Sequence, residues 1–378
     1  MKILQVISHF SSKKGGAFTV CHNLSQSLSN KGHDVTILTS NWEYDKSELN
    51  LSDNVTLVPL DIAFSFVGMD YLPGLRKWVI THIRDYDIIH IHGYRSYDST
   101  IVIHYARKWA IPYIIQPHGS YPRIIEKHVL KVIYDSLIVY SQINSSKKVI
   151  AVSNTEGKSF IDSGIDSSKI KTIYNGVDVE LYYSNSGTIV RNSLNNDVLY
   201  VGRLHPIKGI DILIKSMQIV IQYNPSVSLS ICGTGDEKYI QYLYGIIDEL
   251  GIQNHVNFLG HVSNLKSVYS NSALLVYPSI YEIFGLVPFE ALVCGTPVIV
   301  TDDCGCGEII GDVGCGYLVK YGDVEGLANQ IQYALSHDDE NQLRVQKGQE
   351  YILRNLSWDM IANDFLDVYT CVLLNEAS

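Results

Sequence analysis

The sequence lacks the features of several specialised protein classes. Its 378 residues contain only seven cysteines, an odd and sparse number that fits a reducing compartment better than a disulfide framework. No apolar run approaches the ~18 residues of a membrane-spanning helix. Lys and Arg number 29 against 39 Asp and Glu, so the net charge is −10 and a nucleic-acid partner is not expected. These absences leave a large cytoplasmic globular protein, most simply an enzyme.

Short apolar runs alternate with segments of helical spacing along the whole chain. Predicted strands begin near Leu4, Val35, Val55, Ile88, Tyr113, Val149 and Ile170, and, after a polar stretch over 184–197, near Val198, Val227, Val256, Leu274, Val298 and Tyr317. Helical spacing fills most of the gaps. Strand–helix–strand alternation predicts an α/β protein with two parallel sheets, each covered by helices on both faces.

The segment Gly202–Gly209 follows the first strand of the second half and opens a helix. Arg203 and Lys208 lie five residues apart in this glycine-bounded loop. A guanidinium binds two phosphate oxygens at once, and an ammonium adds a point charge. Because doubly wound sheets bind ligands at the carboxyl ends of strands, we interpret the pair as a pyrophosphate site. Two solvated charges beside a helix cap are the structural alternative.

Two carboxylates, Glu282 and Glu290, lie on either side of Gly285. Gly285 can begin a helix, which leaves the backbone N–H groups near Leu286 and Val287 facing outward. Glu282 then lies on the entry loop and Glu290 on the helix, where a carboxylate can bind a vicinal diol such as a ribose. Two unrelated surface acids are the alternative, which the apolar flanks of this segment disfavour.

Three weaker patterns also occur at expected strand ends. Gly15 and Gly16 precede the first helix and either approach an anion or form a plain tight turn. His118 either points into a cleft or is structural, and we weigh the two equally. Gly233 and Gly235 form a turn that could abut a nucleotide base or phosphate, although they complete no dinucleotide motif.

Neither a metal nor a resident cofactor is expected. Cys304, Cys306 and Cys315 lack the nearby histidine or fourth cysteine that would complete a set of four ligands. The Gly-x-Gly-x-x-Gly fingerprint of dinucleotide enzymes is absent after the first strand of either half.

Taken together, these motifs resemble the retaining glycosyltransferases of GT-B architecture known as family 4, or glycosyl transferases group 1. The resemblance spans almost the whole chain and is most specific at Gly202–Gly209 and at the Glu282-(seven residues)-Glu290 box. The chain departs from the family pattern in two places. The family often has Pro where this chain has Ile283, and it often has Gly-Gly-x-Pro-Glu where this chain has Cys304–Glu308. Neither departure touches the charged residues.

The resemblance implies two Rossmann-like domains that face each other across a cleft. Residues 1–176 would bind the acceptor and 177–357 the nucleotide-sugar donor. Residues 358–378 would form a helix that packs back on the first domain. The expected donor-binding residues are Gly15, Gly16, Gly202, Arg203, Lys208, Gly233, Gly235, Glu282, Phe284, Gly285, Leu286, Val287 and Glu290.

The resemblance also implies the reaction. A hexosyl unit would pass from a UDP- or GDP-sugar to a glycan or lipid-linked acceptor in cell-surface polysaccharide or glycoconjugate synthesis, with retention and without a metal. The implied catalytic residues are Arg203 and Lys208 on the diphosphate, Glu282 on the donor sugar, and His118, which would face that sugar from the first domain. Glu290 would bind the ribose. Retention would come from same-face attack, with the leaving phosphate taking the acceptor proton.

A surface element in the first half suggests peripheral contact with the inner face of the membrane. Residues 72–86 place Leu75, Trp78, Val79 and Ile83 on one face, with Arg76, Lys77 and Arg84 near the polar side. Residues 123–148 add further cations. Such an array could dock on anionic lipid. A core helix with one solvated face is the alternative.

Three other functions fit parts of the pattern. A nucleotide-sugar 2-epimerase shares the GT-B architecture but releases a free isomerised sugar. A two-domain NAD-dependent dehydrogenase is disfavoured by the missing glycine fingerprint. A non-catalytic sugar-nucleotide sensor is disfavoured by the presence of all four charged residues, Arg203, Lys208, Glu282 and Glu290.

Overall fold

The computed structural model describes residues 1–11, 15–43, 51–66, 69–120, 139–183 and 196–377. The chain divides into two compact units. The first comprises Met1–Gly176 together with Trp358–Ser378, and the second comprises Val177–Ser357. Each unit contains its own parallel sheet with helices between successive strands. The prediction of two doubly wound α/β halves is therefore confirmed.

The first unit is built on a seven-stranded parallel sheet in the order β3-β2-β1-β6-β7-β8-β9. Its strands are β1 (Lys2–His9), β2 (Asp34–Ser40), β3 (Val55–Leu60), β6 (Ile88–His92), β7 (Tyr113–Gln116), β8 (Lys148–Ala151) and β9 (Ile170–Thr172). A separate antiparallel hairpin joins β4 (Phe64–Phe66) to β5 (Met69–Tyr71). All five residues of β6 are buried, which is typical of a strand covered on both faces.

The helices of the first unit are α1 (Gly16–Asn30), α2 (Leu75–His82), α3 (Tyr97–Lys108), α4 (Tyr140–Ser145), α5 (Asn154–Asp162) and the final helix of the chain, α14 (Trp358–Ala377). Helix α1 buries Val20, Leu24 and Leu28, which recur at helical spacing in the sequence. Helix α14 packs against α1. The sequence spacing over 124–143 also predicts a helix, and most of that range lies outside the described residues.

The second unit is built on a six-stranded parallel sheet in the order β12-β11-β10-β13-β14-β15. Its strands are β10 (Asp197–Val201), β11 (Ser228–Cys232), β12 (Val256–Gly260), β13 (Leu274–Tyr277), β14 (Val298–Thr301) and β15 (Tyr317–Val319). Its helices are α6 (Val179–Tyr182), α7 (Ile210–Tyr223), α8 (Glu237–Leu250), α9 (Leu265–Asn271), α10 (Leu286–Val293), α11 (Gly305–Val313), α12 (Val324–Ser336) and α13 (Asp338–Asn355).

The apolar face expected to be a membrane-docking surface belongs to the core of the first unit. Leu75, Val79 and Ile83 are fully buried, and Trp78 packs against the same cluster. For the apolar side of this stretch the core-helix alternative is correct, because that side already has partners within the fold. Within the described part of the chain, no helix combines the length and apolarity needed to cross a bilayer.

Candidate functional site

The loops that follow β10 and β13 meet at one edge of the second sheet. β10 and β13 are neighbours although two strands separate them in sequence, so the chain order reverses at this point of the sheet. Such a switch point opens a crevice at the carboxyl ends of the strands. Here the Ile280 N–H donates to the Ile207 carbonyl over 3.0 Å. The two strongest sequence motifs are therefore brought together.

Lys208 reaches this edge because of the glycine that follows it. Gly209 has φ 65° and begins α7. A Cβ at this position would lie 2.1 Å from the Pro278 carbonyl oxygen, so the turn packs directly on the loop after β13. Only glycine permits both the left-handed backbone and this approach. The tight turn thereby sets the Lys208 side chain against the second loop.

One carboxylate oxygen of Glu282 accepts hydrogen bonds from two donors. The Lys208 ammonium forms an ion pair with Glu282 Oε2, and the Tyr277 hydroxyl donates to the same oxygen over 2.6 Å. Lys208 Nζ also lies 3.1 Å from the Tyr277 hydroxyl. The Lys208 and Glu282 side chains are only 12% and 20% exposed, so the pair is largely removed from solvent. The Lys208 ammonium is therefore held in one position by its partners.

Arg203 provides a second cation at the same edge. Its side chain is exposed, whereas its backbone is fixed by the Tyr200 hydroxyl, which donates to the Arg203 carbonyl over 3.1 Å. The anchored backbone and solvent-facing guanidinium suit a residue that grips a ligand only when one is present.

Gly233 and Gly235 pack the turn after β11 against the loop after β10. A Cβ on Gly233 would lie 1.9 Å from the Gly202 carbonyl oxygen, and one on Gly235 would lie 2.1 Å from the Leu204 carbonyl oxygen. The Leu204 N–H donates to the Thr234 carbonyl over 2.8 Å. This close packing accounts for both glycines without a ligand.

Helix α10 begins at this edge with its N-terminus uncapped. Gly285 at the N-cap has φ 79° and offers no side-chain cap, so the first N–H groups, including those of Leu286 and Val287, have no capping side chain. A helix N-terminus of this kind favours an anion. Phe284, which was expected in the donor-binding set, is buried against Phe289, so only its backbone can reach a ligand.

Glu290 lies on α10 and is held by tyrosines. The Tyr269 hydroxyl donates to Glu290 Oε2 over 2.8 Å, and Tyr182 forms a second hydrogen bond with the same carboxyl. Burial raises the pKa of the Glu290 carboxyl to about 7, although both hydrogen bonds act in the opposite direction. The carboxyl is therefore oriented and changes charge near neutral pH.

In the first unit, Gly15 and Gly16 form the start of α1. Gly15 at the N-cap has φ 70°, and the helix has no side-chain cap. Both glycines are exposed, and a Cβ on either would meet nothing within 4 Å. Their geometry fits an anion site and a plain turn equally well.

His118 is held in a strained backbone conformation by a buried carboxylate. Its φ is 52°, an uncommon value for a residue other than glycine. Glu156, which is 2% exposed, accepts hydrogen bonds of 2.7 Å from the N–H groups of Gly119 and Val152. The N-cap Ser153 in turn accepts from the Glu156 N–H. The loop that carries His118 is thus tied to the start of α5.

Several residues of this machinery were missed by the sequence analysis. Tyr277 ends a buried strand immediately before the Glu282 loop, and its position was a usable signal. Glu156 follows Ser153 by three residues, the spacing of a capping box. Tyr269 on α9 had no sequence signal, because only the tertiary fold brings its hydroxyl to Glu290.

Cys304 and Cys306 form a close pair of thiols. Cys304 Sγ and Cys306 Sγ lie 3.2 Å apart and are buried at the start of α11. The Gly305 N–H between them donates to the Glu282 carbonyl over 2.8 Å. Among the residues that the structure describes, no three His, Cys, Asp or Glu side chains are grouped to hold a metal.

Comparison with known proteins identifies the family. The Glycosyltransferase Family 4 model matches residues 14–181, and the Glycosyl transferases group 1 model matches residues 187–351. An uncharacterized glycosyltransferase of Methanocaldococcus jannaschii is 30% identical and aligns over 94% of each chain. The chain belongs to glycosyltransferase family 4.

Two further relatives of this family 4 chain differ in the nucleotide that their names mention. GDP-mannose:cellobiosyl-diphosphopolyprenol alpha-mannosyltransferase of Xanthomonas oryzae is 25% identical and aligns over 98% of this chain and 96% of its own. The crystal structure of Anabaena HepE in complex with UDP matches with a TM-score of 0.81 at 22% identity, over 98% of this chain and 100% of that one. This structural likeness confirms the fold.

Proposed function

We propose that this glycosyltransferase moves a hexosyl unit from a UDP- or GDP-sugar to a glycan or lipid-linked acceptor, with retention of anomeric configuration. The proposal depends most on one observation: Lys208, Arg203, Glu282 and the uncapped start of α10 converge at the switch point of the second sheet. Two cations and a helix N-terminus suit a diphosphate, and two nearby carboxyls suit sugar hydroxyls.

The cations account for activation of the donor. Cleavage of the sugar–phosphate bond leaves negative charge on the departing diphosphate. Lys208 and Arg203 interact more strongly with this developing charge in the transition state than with the intact donor, and this difference lowers the barrier. With two cations at the diphosphate, the proposed reaction needs no metal. Activity that persists in excess EDTA tests this part of the proposal.

Glu282 and Glu290 divide the recognition of the donor. In the structure, Glu282 neutralises Lys208, and a bound diphosphate takes over that role. Glu282 then accepts hydrogen bonds from hydroxyls of the donor sugar. Glu290 accepts from the ribose diol, and His118 in the first unit accepts from a sugar hydroxyl. Glu282 is not assigned as a nucleophile; the acceptor attacks on the face from which the phosphate leaves, and that phosphate takes the acceptor's proton.

Relatives support the donor class without deciding its base. One relative is named for GDP-mannose, and one structural neighbour is titled as a complex with UDP. All seven cysteines are free thiols, which suits a cytoplasmic enzyme.

We also propose peripheral membrane contact through exposed Arg76, Lys77 and Arg84. Flotation with anionic liposomes tests this, and recovery only in the unbound fraction overturns it. The cations proposed over 123–138 lie outside the described residues.

Thermal shift tests the donor assignment. Wild type and Glu290→Ala are compared with UDP, GDP, ADP and NAD. A ligand at ~100 times its Kd stabilises by about 2.7 kcal/mol, which raises Tm visibly. We expect one nucleoside diphosphate to stabilise the wild type and to lose most of that effect on the variant. Stabilisation by NAD alone, or an equal response of both proteins, contradicts the proposal.

A further inference from the structure

A row of buried polar side chains crosses one face of the first sheet, where strands covered on both sides are otherwise apolar. Gln5 on β1 pairs in register with His90 on β6, and His92 on β6 pairs with Gln116 on β7. None of the four is more than 5% exposed. Burial of polar groups is costly unless they are bonded. Such a local departure from the strand pattern points to a functional role.

A chain of two hydrogen bonds runs from Gln5 through His92 to His118. Gln5 Oε1 lies 2.6 Å from His92 Nε2, and His92 Nδ1 lies 2.8 Å from His118 Nε2. The planes of the two imidazoles are 9° apart. The three side chains come from β1, from β6 and from the loop after β7, so the fold holds them in a continuous chain.

The order of donors along this chain fixes the protons. A carbonyl oxygen can only accept, so Gln5 Oε1 requires a proton on His92 Nε2. Burial lowers the pKa of His92 well below its ordinary value and that of His118 to about 3, so both rings are neutral at pH 7. Neutral His92 then accepts at Nδ1, and His118 must donate from Nε2. The lone pair of His118 remains on Nδ1.

We propose that Gln5 and His92 are positioning residues that hold His118 in its Nε2-protonated tautomer, with Nδ1 presented as a hydrogen-bond acceptor for a substrate hydroxyl. This inference rests on the proposed function, because it assigns His118 to the reaction. It adds two residues that never touch substrate. In histidines generally, the hydrogen bond made by one ring nitrogen decides which nitrogen carries the proton.

His90 provides a matched control on the same strand. Its Nδ1 bonds the Tyr369 hydroxyl over 2.8 Å, and its ring stacks on His92 with centroids 4.2 Å apart. It is as buried as His92 but makes no hydrogen bond to His118. A purely structural role for the polar row therefore predicts similar consequences for the loss of either imidazole.

Nitrogen NMR of the full chain labelled with ¹⁵N-histidine tests the tautomer directly. The His118 signals are assigned by their loss in His118→Asn. We expect a protonated Nε2 and an unprotonated Nδ1 in the wild type. A protonated Nδ1 in the wild type overturns the proposal whether or not the chain transfers sugar. If the expected tautomer is found but no nucleotide sugar is turned over, the positioning of His118 by Gln5 and His92 is confirmed and the proposed function fails.

Kinetics of substituted proteins test the consequence. His92→Phe keeps a ring but removes the acceptor, and we expect kcat to fall about tenfold or more with KM for the donor within threefold. His92→Asn places an amide near the former Nδ1 and restores most of kcat. His90→Phe keeps kcat within threefold. Equal losses in both phenylalanine variants, with no rescue by asparagine, contradict a positioning role.

Gln5→Leu gives an independent route if His92→Phe does not fold. It removes the carbonyl that fixes the proton of His92 while leaving the His92–His118 contact in place. We expect a mixture of His118 tautomers in the NMR spectrum and a reduced kcat. A single unchanged tautomer with unchanged kcat overturns the part of the proposal that concerns Gln5.

Discussion

Lys208 and Glu282 form an ion pair at the edge of the second sheet although 74 residues separate them in the chain. The pair exists because β10 and β13 lie side by side and because the Gly209 turn packs on the loop after β13. Its two members have opposite consequences for an anionic ligand: the ammonium attracts a diphosphate, and the carboxylate competes with it.

This opposition predicts different effects of removing each charge. Lys208→Met should weaken binding of UDP or GDP by about tenfold or more, since a charge-assisted hydrogen bond contributes about 1.5–3 kcal/mol. Glu282→Gln should leave that affinity unchanged or increase it, because the competitor is gone, while turnover of the sugar nucleotide falls. Isothermal titration calorimetry measures the affinities. A loss in Glu282→Gln as large as that in Lys208→Met would contradict the assigned roles.

The tyrosine-bound Glu290 predicts that donor affinity depends on pH. Its pKa is raised to about 7, and the ionised carboxylate is the better acceptor for a ribose diol. Affinity for the nucleoside diphosphate should therefore fall as pH drops below 7, by up to tenfold for each pH unit. The ligand's own phosphate titrates at about pH 6. The 2′-deoxy nucleotide and Glu290→Gln are therefore the controls, and neither should show the extra dependence; the same slope in all three systems would exclude Glu290.

Buried Glu156 predicts a pH-dependent stability. Burial raises its pKa to about 7, from about 4.3 in an unfolded chain. Between these values the unfolded state binds fewer protons than the folded state, so the contribution of this group to stability falls as pH rises and levels off above 7. The unfolding free energy of wild type minus that of Glu156→Gln should therefore decrease from pH 4.5 to pH 7. Denaturant titrations at several pH values measure this difference, and an increase would show that the carboxylate is favoured on folding.

Gly233 predicts a steric requirement in the candidate site. Gly233→Ala would place a Cβ 1.9 Å from the Gly202 carbonyl oxygen and should displace the loop that carries Arg203. We expect a lower Tm and weaker binding of the nucleoside diphosphate. Gly245→Ala, in helix α8 with open space around it, is the matched control and should raise stability by about 0.5–1 kcal/mol. Equal Tm values for Gly233→Ala and wild type would show that the turn can relax.

Strands of this protein could be predicted from sequence because buried parallel strands form continuous apolar runs. Strands β3, β13 and β15 begin at Val55, Leu274 and Tyr317, as predicted. The hairpin of β4 and β5 was missed because its residues are largely exposed and carry no buried run. Helix α13 was missed because its buried stripe is narrow and includes Asn341 and Gly348 among apolar residues.

Arg203, Lys208 and Glu282 were also visible in the sequence because they lie in short loops after recognisable strands. The partners that orient them were less visible. Tyr269 meets Glu290 through a tertiary contact, and the ion pair of Lys208 with Glu282 requires the strand order, which sequence periodicity does not specify. Conversely, the apolar spacing of 72–86 gave no means of distinguishing a core helix from a membrane-facing one, and packing decided it.

The stereochemistry of sugar release tests the central claim most directly. UDP-glucose and GDP-mannose, whose hexoses are α-linked to phosphate, are incubated with the full chain, and the anomeric proton of the first transferred or hydrolysed sugar is followed by ¹H NMR before mutarotation. The account predicts that one donor is turned over, that the α-anomer appears first, and that Lys208→Met abolishes the signal. Initial appearance of the β-anomer would contradict it.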